Sequence, residues 1–173
     1  LVMILTICVI VGFKQTITQK IAGFGAHIQL VSFDNNNTYD MQPIEVDDSL
    51  LCQLQSYPYV QAVAPFITKP GMIKTDSAFH GIVLKGTDYW DFFAANIVEG
   101  TIPQTPQEVI ISQSVLNRLN LQIGGTVNAY FVSETADVRA RRSKIVGVYQ
   151  TGFEQFDQLF IIAPMETASR LQG

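Results

Sequence analysis

The chain opens on an unbroken apolar run, Leu1-Val2-Met3-Ile4-Leu5-Thr6-Ile7-Cys8-Val9-Ile10-Val11, and passes without a proline into a striped segment. Beyond Gly12 the apolar positions fall at Phe13, Ile17, Ile21 and Phe24, spaced by four, four and three, while Lys14, Gln15, Thr18 and Gln19 take the opposite side. That spacing puts the four apolar side chains on one helix face. The pattern predicts one helix over residues 1–24 that leaves lipid near Gly12 and continues as a stalk with an apolar face. Residues 1–13 carry no charge and, at a rise of about 1.5 Å per residue, cover roughly 20 Å of a bilayer core of roughly 30 Å. They are too short to span alone, and a start at Leu1 rather than at a Met fits a span whose upstream half lies outside this sequence. A secretory signal segment or a buried core helix carries a similar apolar core. Gly12-Phe13-Lys14-Gln15-Thr16 lacks the small-x-small pattern of a cleavage site, which favours the membrane helix.

Further along, Gly23 and Gly25 offer a helix C-cap, and residues 26–33 alternate apolar and polar as a half-buried strand. A polar loop follows at residues 34–38, whose Asn36-Asn37-Thr38 matches the glycosylation triplet. Asp47 or Asp48 caps a helix with Leu50, Leu51 and Leu54 on one face, stopped by Pro58, and a strand is predicted over residues 59–66. Lys69-Pro70-Gly71 reads as a turn and residues 72–84 as a hairpin bending at Thr75-Asp76-Ser77. Thr87-Asp88 opens a short aromatic helix over residues 89–93, and Val98-Glu99-Gly100-Thr101 closes it as a turn. The most regular unit is a strand at residues 108–111, a cap at Ser112, a helix through Val115, Leu116 and Leu119, and a strand at residues 126–132. After a loop at residues 133–137, strands are expected over 139–149 and 158–163. Pro164 then sits in the first turn of a closing helix over residues 165–171. A strand–helix unit needs a further strand or partner to cover its other side, so the chain is expected to continue beyond residue 173. The fold class is α+β.

Composition adds an apolar excess. Charged residues make up 15% of the 173 positions, against roughly 25% in an average globular domain. Part of that excess comes from the first helix, and the remainder predicts surface buried against a partner or another part of the same polypeptide. The net charge of -4 argues against nucleic acid. Cys8 and Cys52 read as small buried side chains rather than a disulfide, since a bridge would have to join lipid to solvent.

No catalytic or metal site is legible. His27 and His80 lie far apart with no second ligand at metal-binding spacing, and Asp47-Asp48 is explained by helix capping. Gly124-Gly125 follows Ile123 and precedes a strand, so it is a turn rather than a phosphate loop. One charge cluster stands out. Arg139, Arg141, Arg142 and Lys144 place four of the eleven basic residues within six positions. They read as a solvated strand face or charge-protected edge, or else as a contact for anionic lipid head groups or an acidic partner.

Several stretches in this order carry a family resemblance. They are Val11-Gly12-Phe13 with Ile21-Ala22-Gly23-Phe24-Gly25-Ala26-His27-Ile28, then Val83-Leu84-Lys85-Gly86-Thr87-Asp88 and Val98-Glu99-Gly100. Next come Glu108-Val109-Ile110-Ile111-Ser112-Gln113-Ser114-Val115 with Leu119-Asn120-Leu121-Gln122-Ile123-Gly124-Gly125-Thr126-Val127. The last is Lys144-Ile145-Val146-Gly147-Val148-Tyr149-Gln150-Thr151-Gly152 followed by Phe156-Asp157. Together they resemble the first span, stalk and periplasmic domain of lipoprotein-releasing ABC permeases of the LolC/LolE type. That group has a MacB-like periplasmic core and an FtsX-like permease architecture, and macrolide-exporter permeases share much of the pattern.

The resemblance implies a bacterial inner-membrane permease with most of this fragment in the periplasm. Residues 1–25 would be the end of the first membrane helix and stalk, 26–86 the first part of a porter-like subdomain with a strand–helix–strand unit, 87–143 a smaller inserted subdomain, and 144–173 a return to the first. It further implies a second permease subunit, in a homo- or heterodimer, and a separate cytoplasmic ABC ATPase that binds ATP and Mg and does the hydrolysis. This chain would itself have no enzymatic role. The stalk face of Phe13, Ile17, Ile21 and Phe24 would relay motion to the outer domain and push a lipoprotein or other amphiphile from the membrane. Alternatives are a macrolide, peptide or toxin exporter of the same fold, or a membrane-anchored interaction domain that regulates an envelope enzyme. Two departures matter. The carrier-recruiting subunit has an extended apolar loop between two late strands, whereas residues 133–142 are short and basic, so the resemblance does not extend to carrier recruitment. Gly125 also stands where the family often has an acidic residue.

Overall fold

A 24-residue helix, α1 (Val2–Gly25), begins the structure, a computed structural model that describes residues 1–33, 44, 46–75, 78–132 and 138–171. The chain divides into two compact units, Leu1–Leu30 and Val31–Gly173. The first is α1 and its exit. The helix runs through Gly12 without a break and continues past Gly23 and Gly25 to a cap at Ala26, whose φ is 79°. Residues 26–33 form no strand. Alternation defines a strand only when a neighbour completes its ladder, and no described strand pairs with this segment. Its apolar side chains stay exposed, with Ile28 at 82% and Phe33 at 103%.

In the second unit, helix α2 (Asp48–Ser56) has Asp47 as N-cap and stops before Pro58. Seven strands follow: β1 (Phe66–Lys74), β2 (Phe79–Thr87), β3 (Ile97–Gly100), β4 (Glu108–Ser112), β5 (Thr126–Val132), β6 (Val138–Tyr149) and β7 (Phe160–Ala163). Short helices α3 (Asp91–Ala95), α4 (Gln113–Leu119), α5 (Glu154–Asp157) and α6 (Met165–Ser169) join them. Six strands close a ring in the order β6-β4-β7-β2-β1-β5 and back to β6, with β3 paired to β6 alongside. Closure removes the free edges an open sheet would carry. The pairs β2–β7 and β4–β6 are parallel and the rest antiparallel.

The barrel is filled by its own side chains. Ile73, Ile82, Leu84, Val109, Ile111, Phe131, Ile145 and Ile161 form one cluster with Val115 and Leu119 of α4 and Ala168 of α6. β5 alternates buried and exposed along its length, as a strand with one wet face should. β7 is buried at all four positions, which is why Phe160-Ile161-Ile162-Ala163 reads as a continuous apolar run. The architecture is thus a mixed α+β core containing a β-barrel, preceded by a long apolar helix.

Several local expectations change. The strand placed over residues 59–66 begins only at Phe66, and Pro70-Gly71 lies inside β1 rather than in a turn. Pro70 pairs with Val83, whose N–H donates to Leu159 O at 2.8 Å on the far side, so this pair needs no N–H from position 70. Gly71 is there for space, because a Cβ would lie 2.6 Å from the Phe131 ring. Residues 97–100 form β3 instead of a turn, with Gly100 at φ 86° and no room for a Cβ against Val146 O. The strand–helix–strand order of β4, α4 and β5 holds. Its two strands run antiparallel to each other on either side of β6, so they do not form a parallel crossover pair. The aromatic helix starts two residues late, at Asp91, and α5 went unread. Cys8 and Cys52 are exposed rather than buried, and both are free thiols. The hairpin tip at 76–77, the loops at 34–38 and 133–137, and the glycosylation triplet lie outside the described residues.

Candidate functional site

Three features stand out: the helix α1, the basic strand β6 and a buried polar knot between β6 and β7. α1 is long and apolar enough to cross a membrane by length and composition. At about 1.5 Å per residue its 24 residues extend roughly 36 Å. Two of its threonines spend their hydroxyl hydrogen bonds locally. Thr6 Oγ1 donates to Val2 O at 3.0 Å and Thr16 Oγ1 to Gly12 O at 2.9 Å, so neither needs water. Along the predicted stalk face Phe13 is 68% exposed, Ile17 half-buried, Ile21 45% exposed and Phe24 buried at 5%. The helix brings all four onto one side.

The basic cluster is divided by the strand's pleat. In β6, Arg139 and Arg141 are half-buried and face the barrel side with Ser143 and Ile145, while Arg142 and Lys144 are exposed on the outer face. Arg141 Nη2 donates to Arg170 O at 3.3 Å, and Arg142 Nη2 to Thr126 Oγ1 at 3.3 Å. Neither bond reaches a carboxylate.

The polar knot was not foreseen. Asp157, buried at the end of α5, accepts hydrogen bonds from Thr151 N at 3.0 Å, Thr151 Oγ1 at 2.8 Å and Gly152 N at 3.1 Å. Ser112, besides capping α4 through Val115 N at 3.1 Å, donates its hydroxyl to Asp157 O. Tyr149 donates to Phe160 O at 2.8 Å; burial, with Asp157 nearby, pushes its phenol well above the usual range. These bonds tie β4, β6, α5 and β7 together and leave no buried side-chain polar atom unmatched among the described residues. The one signal in the sequence was Phe156-Asp157 following Thr151-Gly152, which only the resemblance singled out. Lys85, buried on β2 with its ammonium 5.6 Å from the Phe66 ring and 5.9 Å from the Phe93 ring, was also missed.

Neither histidine is placed for metal chemistry. His80 Nε2 lies 2.7 Å from Gln158 O and His27 is exposed, and no described group of His, Cys, Asp and Glu can hold a metal ion. The arrangement offers a membrane-length helix and a rigid barrel, with no assembled reactive groups among the described residues.

Comparison with known proteins agrees with that geometry. The family model of the MacB-like periplasmic core domain matches residues 1–173. Among solved structures, the chain is similar to the extracellular domain of the noncanonic ABC-type transporter YknZ from Gram-positive bacteria, with 14% identity and a TM-score of 0.50. That likeness covers 71% of this chain and 64% of the other, so it spans less than two thirds of that structure's length. No curated protein matches.

Proposed function

The chain belongs to the MacB-like periplasmic core domain family, and on that premise we propose that it is the extracytoplasmic domain of an ABC-type permease together with the membrane helix that carries it. The observation behind this reading is the continuity of α1 from an all-apolar segment into a stalk with one apolar face. A proline-free helix with an unbroken backbone ladder is stiff, so a displacement of its lipid-embedded half is delivered to the half beyond the membrane. In this reading a cytoplasmic ATPase binds ATP and Mg and supplies the displacement. A second permease subunit packs on the part of the stalk face that stays open, Phe13 and Ile21, and the barrel is the body that moves. Transport then requires no reactive group in this chain.

The proposed cargo is a lipoprotein, drawn from the inner membrane as an amphiphile. Support comes from the ordered motifs shared with lipoprotein-releasing permeases. The rival cargo is a peptide, toxin or macrolide exported by the same mechanics. Replacing Ile17 and Ile21 with aspartate tests the relay. The expected result is lost transport with the ATPase still co-purifying, and unchanged transport rejects the relay. Lipoprotein release from spheroplasts, measured beside resistance to exported compounds, separates the two cargoes.

A further inference from the structure

We propose that the open edge of β6 over residues 138–143 is a docking site for an extended acidic segment of a partner protein, added to the barrel as a further strand. The inference goes beyond the transport reading and does not depend on the cargo.

The two edges of β6 are used unequally. β5 pairs with it from Val138 to Lys144, whereas β4 pairs with it only from Lys144 onward. Ile145 N donates to Gly125 O at 2.9 Å on the β5 side, and Lys144 N to Gln107 O at 2.8 Å on the β4 side. Backbone groups alternate sides along a strand. The N–H and C=O of Val138, Ala140 and Arg142 therefore point to the β4 side, where no strand meets them among the described residues. β4 cannot grow to cover them, because the chain before it turns away, with Glu108 N bonded to Thr105 O at 3.0 Å. Closure leaves other short unpaired stretches, on β1 and β2 for example, but the one on β6 is where the basic side chains are concentrated.

Its charge says what fits. Val138, Ala140, Arg142 and Lys144 are exposed on the outer face, and Arg139 and Arg141 are half-buried on the other. In a chain of net charge -4, these four cations are a local reversal. Glu108 stands opposite Lys144 in the β4 register, whereas the bonds of Arg141 and Arg142 end on Arg170 O and Thr126 Oγ1 rather than on a carboxylate. Edge-to-edge pairing with a second copy would set cation against cation, which is unfavourable for directly opposed residues. An acidic strand gains main-chain bonds and charge complementarity together. The pleat then specifies its pattern: carboxylates opposite Arg141 and Arg142, and small apolar side chains opposite Val138 and Ala140.

The test uses the full 173-residue chain in nanodiscs of zwitterionic lipid and a fluorescent peptide of valine and aspartate, with adjacent aspartates set opposite Arg141 and Arg142 and valines opposite Val138 and Ala140, read by anisotropy. The peptide should bind at least about tenfold more tightly than its lysine counterpart, and Arg142→Glu with Lys144→Glu should remove that advantage. Ala140→Pro deletes an open-edge donor without touching the β5 ladder, and should weaken binding about tenfold. Peptide addition should slow amide exchange at Ala140 and Arg142. A peptide N-methylated on its edge-facing amides should fail to bind, and this arm decides the matter even if the proline variant misfolds. Equal binding of the N-methylated peptide, binding only to anionic vesicles, or a dimer dissolved by Ala140→Pro would each overturn the proposal.

Discussion

Lys85 should make the stability of the barrel unit rise with pH in a window where most domains lose stability. Its side chain is buried on β2, and burial lowers its pKa from 10.5 to about 8. A difference of this size corresponds to about 3 kcal/mol, at about 1.4 kcal/mol per unit. The folded value lies below the unfolded one, so between about pH 8 and pH 10.5 the unfolded chain binds more protons. Stability from this group therefore rises through that window, and the full cost of burying the charge is present below it. The Phe66 and Phe93 rings return part of this cost, about 0.5–1 kcal/mol, by cation–π attraction. Lys85→Met shortens the side chain by one heavy atom and removes the charge. Relative to the wild type, its stability should fall by about 3 kcal/mol between pH 7 and about pH 10.5, because only the wild type gains in that window. Urea unfolding of both proteins in the same detergent, from pH 7 to pH 10.5, measures the difference while the other lysines cancel. Parallel pH curves, or a difference that moves the other way, would refute the reasoning.

Two further substitutions probe the frame. Asp157→Ala strips the acceptor from Thr151 N, Thr151 Oγ1 and Gly152 N, and should cost about 3–5 kcal/mol by urea unfolding; a loss below about 1 kcal/mol would mean the knot holds nothing together. Gly71→Ala drives a methyl to within 2.6 Å of the Phe131 ring and 2.9 Å of Tyr130 O, and should cost about 1–3 kcal/mol as a drop in Tm, whereas Gly81→Ala, with open space around it, should cost well under 1 kcal/mol.

The parts legible in the sequence are those whose signals are local. α1 follows from an apolar run and a spacing of three and four. β4 and α4 follow from an apolar strand ended by Ser112, whose hydroxyl does cap the helix. What escaped reading depends on neighbours far along the chain. Pro70-Gly71 looks like a turn in isolation, yet a pair that needs no N–H and a crossing Phe131 ring make it strand. Residues 97–100 lack any apolar alternation and become strand only because β6 lies beside them. Residues 26–33 show the converse, a good strand pattern with no described partner. The basic cluster was visible as a count, but its division between two faces depends on the pleat, and its open edge on where β4 begins. Asp157 gave no signal beyond the motif order of the family resemblance, because a buried carboxylate is recognisable only once its donors have been brought to it.

The account rests on α1 being one rod through the membrane boundary. With Cys8 and Cys52 replaced by serine, spin labels at Val2 and Gln19 of the chain in lipid nanodiscs report its length by pulsed electron resonance. A continuous helix sets these positions about 26 Å apart at 1.5 Å per residue, so a narrow distribution near that backbone distance, widened only by the label arms, is expected. A broad distribution, a clearly shorter distance, or a mature chain from which the first label has been cut away would contradict it.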